Sequence, residues 1–544
     1  MKKRHLLYLS IAGSVIMYSC GGGEKPKETA DTGETKIEGI KLSDTEMQMA
    51  SELYFDKCAG CHGSSRLGAT GPHLLPEAPE GDPAPGTKLL GDAGLRAFIE
   101  NGTPGGMPEW KGILKDSEID LMVKFLQVDP PAIPPFGLKE MKETWKVIVP
   151  VEERPTKPMH KRNIDNYFGV IMRDAGKVAI IDGDTKEKIV VLPTGFAVHI
   201  LRNSASGRYI YSVGRDGRIT MIDTYPEIPN IVAEVRGAFD SRSVEVSKFK
   251  GYEDKYLVFG GYSPAHIAIM DAQTLEPLSV TPTAGNACDG EKEFIEEARV
   301  AAIVASHTDP VWICNIKERG IVSIVDYTDP LNPGITEIPT ARFLHDGGWD
   351  ASKKYFLVAA NASNKMVVID VPNKKLEAII ETGIKPHPGR GANIENDLGE
   401  LWVTSHLGEN KLSFIKTNPG KGQWTVVKEV KAPGNGGGAL FVKSHPKSKH
   451  LWVDRTLNPD PALHAVVDVF DTQTLEYKKT ITMPEGIDGR MVHMEYNKAG
   501  NEVWVSVFMG KVSGILIYDD KTLELKQIIK GDWVENPTGK FNVY

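Results

Sequence analysis

Two cysteines and a histidine in "DKCAGCHGSS" pose the first chemical question, because Cys58 and Cys61 stand one helical turn apart and His62 follows at once. That spacing lets two thiols bond the two vinyl groups of a haem while the imidazole meets its iron from the same side. The motif therefore reads as the attachment site of one covalent haem c. A second set of residues is scattered. His345 in "FLHDGGWD" lies ten residues before Tyr355, and His199 in "GFAVHILRNSASGRYIYSV" lies ten before Tyr209. His387 in "PHPGRGAN" and His493 in "GRMVHMEYN" precede later apolar runs in a comparable way. One histidine alone is better read as a structural, hydrogen-bonded group. Recurrence at one place in a repeated unit reverses that preference, because equivalent positions gather where the repeats converge. Imidazoles titrate near neutral pH, so a gathering of them suits anion binding and proton transfer.

The elements that must position the first set are helical. "SDTEMQMASELYFDKCAGCHG" reads as an amphipathic helix running into the motif, and "SEIDLMVKFLQ" as a second helix closing the domain. Between them, "NGTPGGMPEW" is a loop that presents Met107, a thioether suited to be the sixth iron ligand, while Met122 reads as core of the closing helix. Residues 45–130 are thus expected to form a small all-α class I cytochrome c domain. Cys288 and Cys314 remain, and two free thiols or one disulfide are both open. "DPPAIPPFG" marks a linker over residues 131–144.

From residue 145 onward the chain repeats. An apolar run ending in a polar residue, then a turn, then another run recurs eight times, from "VAIIDGDTKEKIVVL" through "IAIMDAQTLEPLSV" to "GILIYDDKTLELKQII". Each is preceded by a strand such as "GRYIYSVG" or "NEVWVSVF". Several short strands per unit, with a period of tens of residues, are the mark of a β-propeller. Residues 145–544 are expected to be an all-β eight-bladed propeller with the histidines on the innermost strands, facing the axis.

Composition sets outer bounds. The 544 residues are 41% apolar and 25% charged, with a formal net charge of −8 and no massed basic block. A folded multi-domain chain follows, and nucleic acid is disfavoured as a partner. The start, "MKKRHLLYLSIAGSVIMYSCGGGEKPKE", has a basic head and an apolar stretch of export-signal length. Residues 1–20 read as a signal of lipoprotein type with Cys20 as the lipid site, plain cleavage near Ser19 being the alternative. Residues 21–44 read as a flexible tether. No other apolar run reaches the roughly 18 residues of a membrane span, so the expected location is periplasmic, with membrane contact only through Cys20.

A resemblance covers nearly the whole chain after the export segment. "CAGCHG", "GMPEW", "RDAGKVAIIDG", "VHILRNSASGRYIYSVGRDGRI", "SVEVSKFKGYEDKY", "FLHDGGWD", "PHPGRGAN" and "PTGKFNVY", in that order, resemble the cytochrome cd1 nitrite reductase family. The resemblance implies one haem c and one non-covalent haem d1, nitrite as substrate, a small cytochrome c or cupredoxin as electron donor, and a homodimer. It also implies His199 as axial ligand of the haem d1 iron and His345 and His387 on the substrate face. Arg173, Arg215, Arg242, Tyr262 and Arg390 fall in matching segments, where guanidinium forks suit a macrocycle bearing carboxylates. Making nitric oxide from nitrite takes one electron and two protons and releases water, and partly protonated imidazoles at 345 and 387 would supply those protons. His493 stands where this family usually has glutamine. Two neighbouring readings share the architecture or part of it: a haem d1 biosynthesis dehydrogenase, and a non-catalytic haem d1 carrier.

Overall fold

The computed structural model describes residues 40–68, 71–103, 107, 109–130, 135–290 and 293–542. The expected export signal and nearly all of the expected tether lie outside the described residues. Residues 42–544 form one compact unit.

Helix α1 (Asp44–Lys57) starts at Ser43, whose hydroxyl accepts from the Glu46 amide while Glu46 reaches back to the Ser43 amide. This reciprocal cap satisfies donors that the first turn leaves open. A short turn, α2 (Ala59–His62), carries the cysteine–histidine motif directly on. Helix α3 (Thr87–Asn101) bends at Gly91, and α4 (Asp116–Leu126) closes the domain. Ala50 and Tyr54 of α1, Leu95 and Ile99 of α3, and Ile119, Met122 and Phe125 of α4 form its core. The sequence reading assigns α1 and α4 but not α3, whose pattern Gly91 and Gly94 interrupt. The expected linker is also more ordered than its prolines suggest. Its second half is a helix, α5 (Leu138–Thr144), and Met141 from it is fully buried against the propeller.

The propeller has eight blades, each a four-stranded antiparallel sheet. Blade 1 combines strands within residues 167–193 with the terminal strand Pro537–Asn542, which pairs with Tyr167–Met172 and closes the ring. Blades 2 to 8 span 200–236, 240–282, 300–339, 344–381, 392–431, 442–482 and 490–529. Lys146–Val147 adds a fifth strand to the outside of blade 2. A two-stranded ribbon, Gly285–Asn286 with Phe294–Ile295, sits between blades 3 and 4. The first strands of blades 1 to 5, and of blades 7, 8 and 1, contact one another in turn around the axis. His345 and His493 lie on such strands, whereas His199 immediately precedes one and His387 lies in the connection into blade 6.

The repeated aspartate has a local cause. At the end of the third strand Asp271, Asp471 and Asp519 each accept two backbone amides of the following turn, and so reverse the chain into the fourth strand. Between blades the packing is aromatic. Trp312, Trp402, Trp452 and Trp504 occupy the second strands of blades 4, 6, 7 and 8, all fully buried, and Trp504 stacks on Phe168 of blade 1 at 3.9 Å. That contact seals the ring where its two ends meet.

Candidate functional site

At the end of α1 the backbone stays helical through the motif, with the His62 amide bonded to the Cys58 carbonyl (3.0 Å). The ring of His62 donates from Nδ1 to the Pro72 carbonyl (2.8 Å), which leaves the Nε2 lone pair as its metal-ligating atom. A Cβ on Gly71 would stand 3.0 Å from that ring, and glycine is what lets the loop lie against it. Cys58 is half-buried and Cys61 exposed, and neither is in a disulfide. Two thiols and an oriented imidazole on one turn are the donor set of a covalent haem. Met107 is half-buried at the edge of the same apolar core, its carbonyl accepting from the Thr103 amide (3.0 Å), whereas Met122 lies inside α4 with 1% exposure.

On the propeller axis one guanidinium links two imidazoles. Arg242, on the inner strand of blade 3 (Asp240–Val246), donates from Nε to His199 Nε2 (2.7 Å) and from Nη1 to His345 Nε2 (2.6 Å). His199 is therefore unprotonated at Nε2, the form an axial iron ligand needs, with that lone pair taken up here by Arg242. His345 Nδ1 stands 3.3 Å from Asp346, and His387 Nε2 stands 3.7 Å from the same carboxylate. The two rings are 4.9 Å apart. His387 donates from Nδ1 to the Leu440 carbonyl (2.7 Å), which fixes its orientation. The structure thus brings His199, His345 and His387 together, with Arg242 and Asp346 between them.

Asp346 is the residue that the sequence reading misses. Neighbours on a strand point to opposite faces, so His345 and Asp346 should not share a site. The inner strand of blade 5 carries an irregularity between Leu344 and Gly347 that releases both from the ladder. The following glycines complete the device, since a Cβ on Gly348 would fall 1.8 Å from the Arg390 carbonyl. His493 is placed the same way: the register shifts between Val492 and Met494, and His493 adopts a φ of 53°. Its ring lies edge-on to Phe441 (4.7 Å), which in turn faces His387 at 6.3 Å.

Charge distribution corrects one expectation. Burial and the Arg242 guanidinium push His345 down to about 3, against the pull of Asp346. Burial also lowers His387, while Asp346 and the Leu440 carbonyl favour its protonated form. Burial works to raise Asp346, yet His345 and Arg242 hold it well below the usual carboxylate range. The positive charge over the site near neutral pH thus resides on Arg242 rather than on the imidazoles.

The other named residues divide. Arg215 is committed to a two-pronged pair with Asp240 (2.6 and 2.7 Å), and Tyr262 is buried beneath it, 5.3 Å from the guanidinium. Arg173 is half-buried beside Asp174 (3.1 Å), and its charge helps to lower His199. Arg390 is exposed. Cys288 and Cys314 are separate free thiols, Cys314 fully buried in the blade 4 core.

Comparison with known proteins bears on the family and its cofactors. Residues 162–544 match the family described as Cytochrome D1 heme domain, and residues 45–126 match the one described as Cytochrome C oxidase, cbb3-type, subunit III. A nitrite reductase of Stutzerimonas stutzeri is 49% identical over 528 residues, covering 93% of this chain and 94% of its own. A dihydro-heme d1 dehydrogenase of Pseudomonas aeruginosa is 27% identical, covering 90% and 92%. The solved structure of a dihydro-heme d1 dehydrogenase, NirN, in complex with DHE superimposes with a TM-score of 0.68 at 26% identity, covering 91% of this chain and 99% of that one. On these matches, the first of them over more than half of its length, the chain belongs to the Cytochrome D1 heme domain family, with haem c and haem d1 as its cofactors.

Proposed function

We propose that this chain is a periplasmic nitrite reductase that converts nitrite to nitric oxide. The observation that carries the site assignment is the grouping of His345, Asp346 and His387 around Arg242, which also holds His199. When bound, haem d1 supplies the iron at which nitrite is reduced, and haem c supplies the electron. His62 and Met107 are the proposed ligands of haem c, attached through Cys58 and Cys61, and His199 is the proposed ligand of haem d1.

The remaining chemistry belongs to side chains. Arg242 offers a fixed cation to an arriving anion and keeps His345 neutral as a hydrogen-bonding group. His387 is the better proton carrier of the pair, because its Nδ1–H is anchored on Leu440 while Nε2 faces the Asp346 carboxylate, a setting that favours a second proton. Nitrite takes up one electron and two protons and leaves as nitric oxide and water. Arg173, Arg215, Tyr262 and Arg390 are proposed to frame the macrocycle, Arg215 through its fixed pairing with Asp240. Export, a lipid on Cys20, a homodimer, and a small cytochrome c or cupredoxin as donor complete the proposal, supported by the N-terminal motif and the family resemblance. The test is an optical spectrum of the cofactor-loaded protein, in which haem d1 absorbs in the red beyond haem c, followed by nitrite turnover with a chemical reductant. A loaded protein that leaves nitrite untouched overturns the reading.

A further inference from the structure

The connection between blades 3 and 4, residues 283–299, is the longest between successive blades; the next longest are 382–391 and 432–441. It carries the small ribbon and is tied down along its length. Arg319 bonds the Asn286 and Thr283 carbonyls (3.0 and 3.1 Å), and Arg342 bonds Glu293 (2.6 Å). At its end it delivers two charged residues to the haem-attachment turn. Glu297 accepts the backbone amides of Ser64 (2.6 Å) and Ser65 (3.3 Å), just after His62. Arg299, with no exposure at all, donates to the carbonyl of Ala59 (2.9 Å), between Cys58 and Cys61, while Glu318 holds its other nitrogens (2.8 and 2.6 Å). Gly63 permits the approach: its φ is +79°, and a Cβ there would stand 3.3 Å from the Glu297 carboxylate.

A third tie leads toward the axis. Ser64 donates its hydroxyl to Asp240 (2.9 Å), the same carboxylate that grips Arg215. Asp240 and Arg242 are two apart on one strand, whose register against the second strand shifts at Arg242. Tyr262 lies between the guanidiniums of Arg215 and Arg299, at 5.3 and 5.2 Å. One inner strand thus touches the haem c turn at one residue and His199 and His345 two residues later.

We propose that Glu297 and Arg299 are positioning residues that clamp both ends of the haem c attachment turn to the propeller and so set the geometry for electron passage between the two haems. A buried ionic junction of this kind contributes little net stability, and its role in this proposal is to fix one alignment. An apolar contact of equal area would tolerate sliding. The proposal rests on the two haems exchanging an electron, as argued above.

The test uses the full holoprotein carrying Glu297→Gln, Arg299→Lys or Ser64→Ala. Three quantities are read: hydrogen exchange of the Ser64 and Ser65 amides, the rate at which pulse-reduced haem c passes its electron to the propeller haem, and nitrite turnover with a small reductant. For Glu297→Gln, faster amide exchange is expected, with inter-haem transfer slowed severalfold. Haem content and turnover with the small reductant should hold. Ser64→Ala, which removes only the tie to Asp240 and keeps both clamping residues, should slow transfer less. Unchanged transfer in all three variants, or unchanged amide exchange in Glu297→Gln, overturns the clamp. A wild-type protein that moves the electron but spares nitrite would sink the nitrite reading while leaving the clamp standing.

Discussion

The haem c turn and the propeller axis are two ways of building a reactive centre. On the turn, the donors Cys58, Cys61 and His62 come from five consecutive residues, and one helical turn with one carbonyl, that of Pro72, orients them. On the axis, His199, Arg242, His345 and His387 come from the start of blade 2, from blades 3 and 5, and from the connection into blade 6, and no two of them are neighbours in the chain. The first centre depends on local backbone and the second on ring closure. Disturbance should therefore stay confined in one and spread in the other.

The largest effect separates the two directly. Replacing both Cys58 and Cys61 with serine should abolish covalent haem, read as loss of haem staining in a denaturing gel, while His199→Ala should keep that staining and disturb only the non-covalent haem spectrum. Loss of both signals from His199→Ala would erase the distinction. Next, His345→Ala and His387→Ala should each lower nitrite turnover by roughly 10² to 10⁴, the usual share of a proton-transferring group, with both haems retained. Of the two, His387→Ala should be the more damaging, and the reverse order would reassign the proton carrier.

Ring packing predicts a smaller effect on stability. Trp504→Ala opens the seam against Phe168 and should cost about 3–5 kcal/mol, read from denaturant unfolding. Gly348→Ala forces the Arg390 carbonyl aside and should cost about 1–3 kcal/mol, with turnover falling because His387 lies on the same loop.

The smallest effect depends on pH. Lys540, fully buried with its ammonium on Ser506 (2.9 Å), is pushed down to about 7 by burial. The unfolded chain keeps that proton up to the ordinary lysine value near 10.5, so the folded state carries the full penalty below pH 7 and sheds it as pH rises from 7 toward 10. Wild-type melting temperature should accordingly gain on that of Lys540→Met between pH 7 and 9. A constant gap would show that Lys540 titrates as it does in the open chain.

Much of this protein was legible in order of residues alone. The covalent-haem motif is contiguous, and the blades announce themselves through an aspartate that in most of them, blade 6 with Lys416 excepted, reverses the outer hairpin by accepting its own turn amides, a bond spanning two or three residues. Even the shared place of His199 and His345 could be counted, because a repeat keeps its distances. Helix α3 was hidden by its glycines, and α5 by the prolines before it, since each depends on burial against a partner rather than on its own propensity. Asp346, the neutral state of His345, and the clamp of Glu297 and Arg299 were decided by tertiary structure alone. Asp346 reaches the axis only because a bulge breaks the alternation of its strand, and a charge is felt only across the few ångströms that folding closes, here between residues 242 and 345 and between 64 and 297.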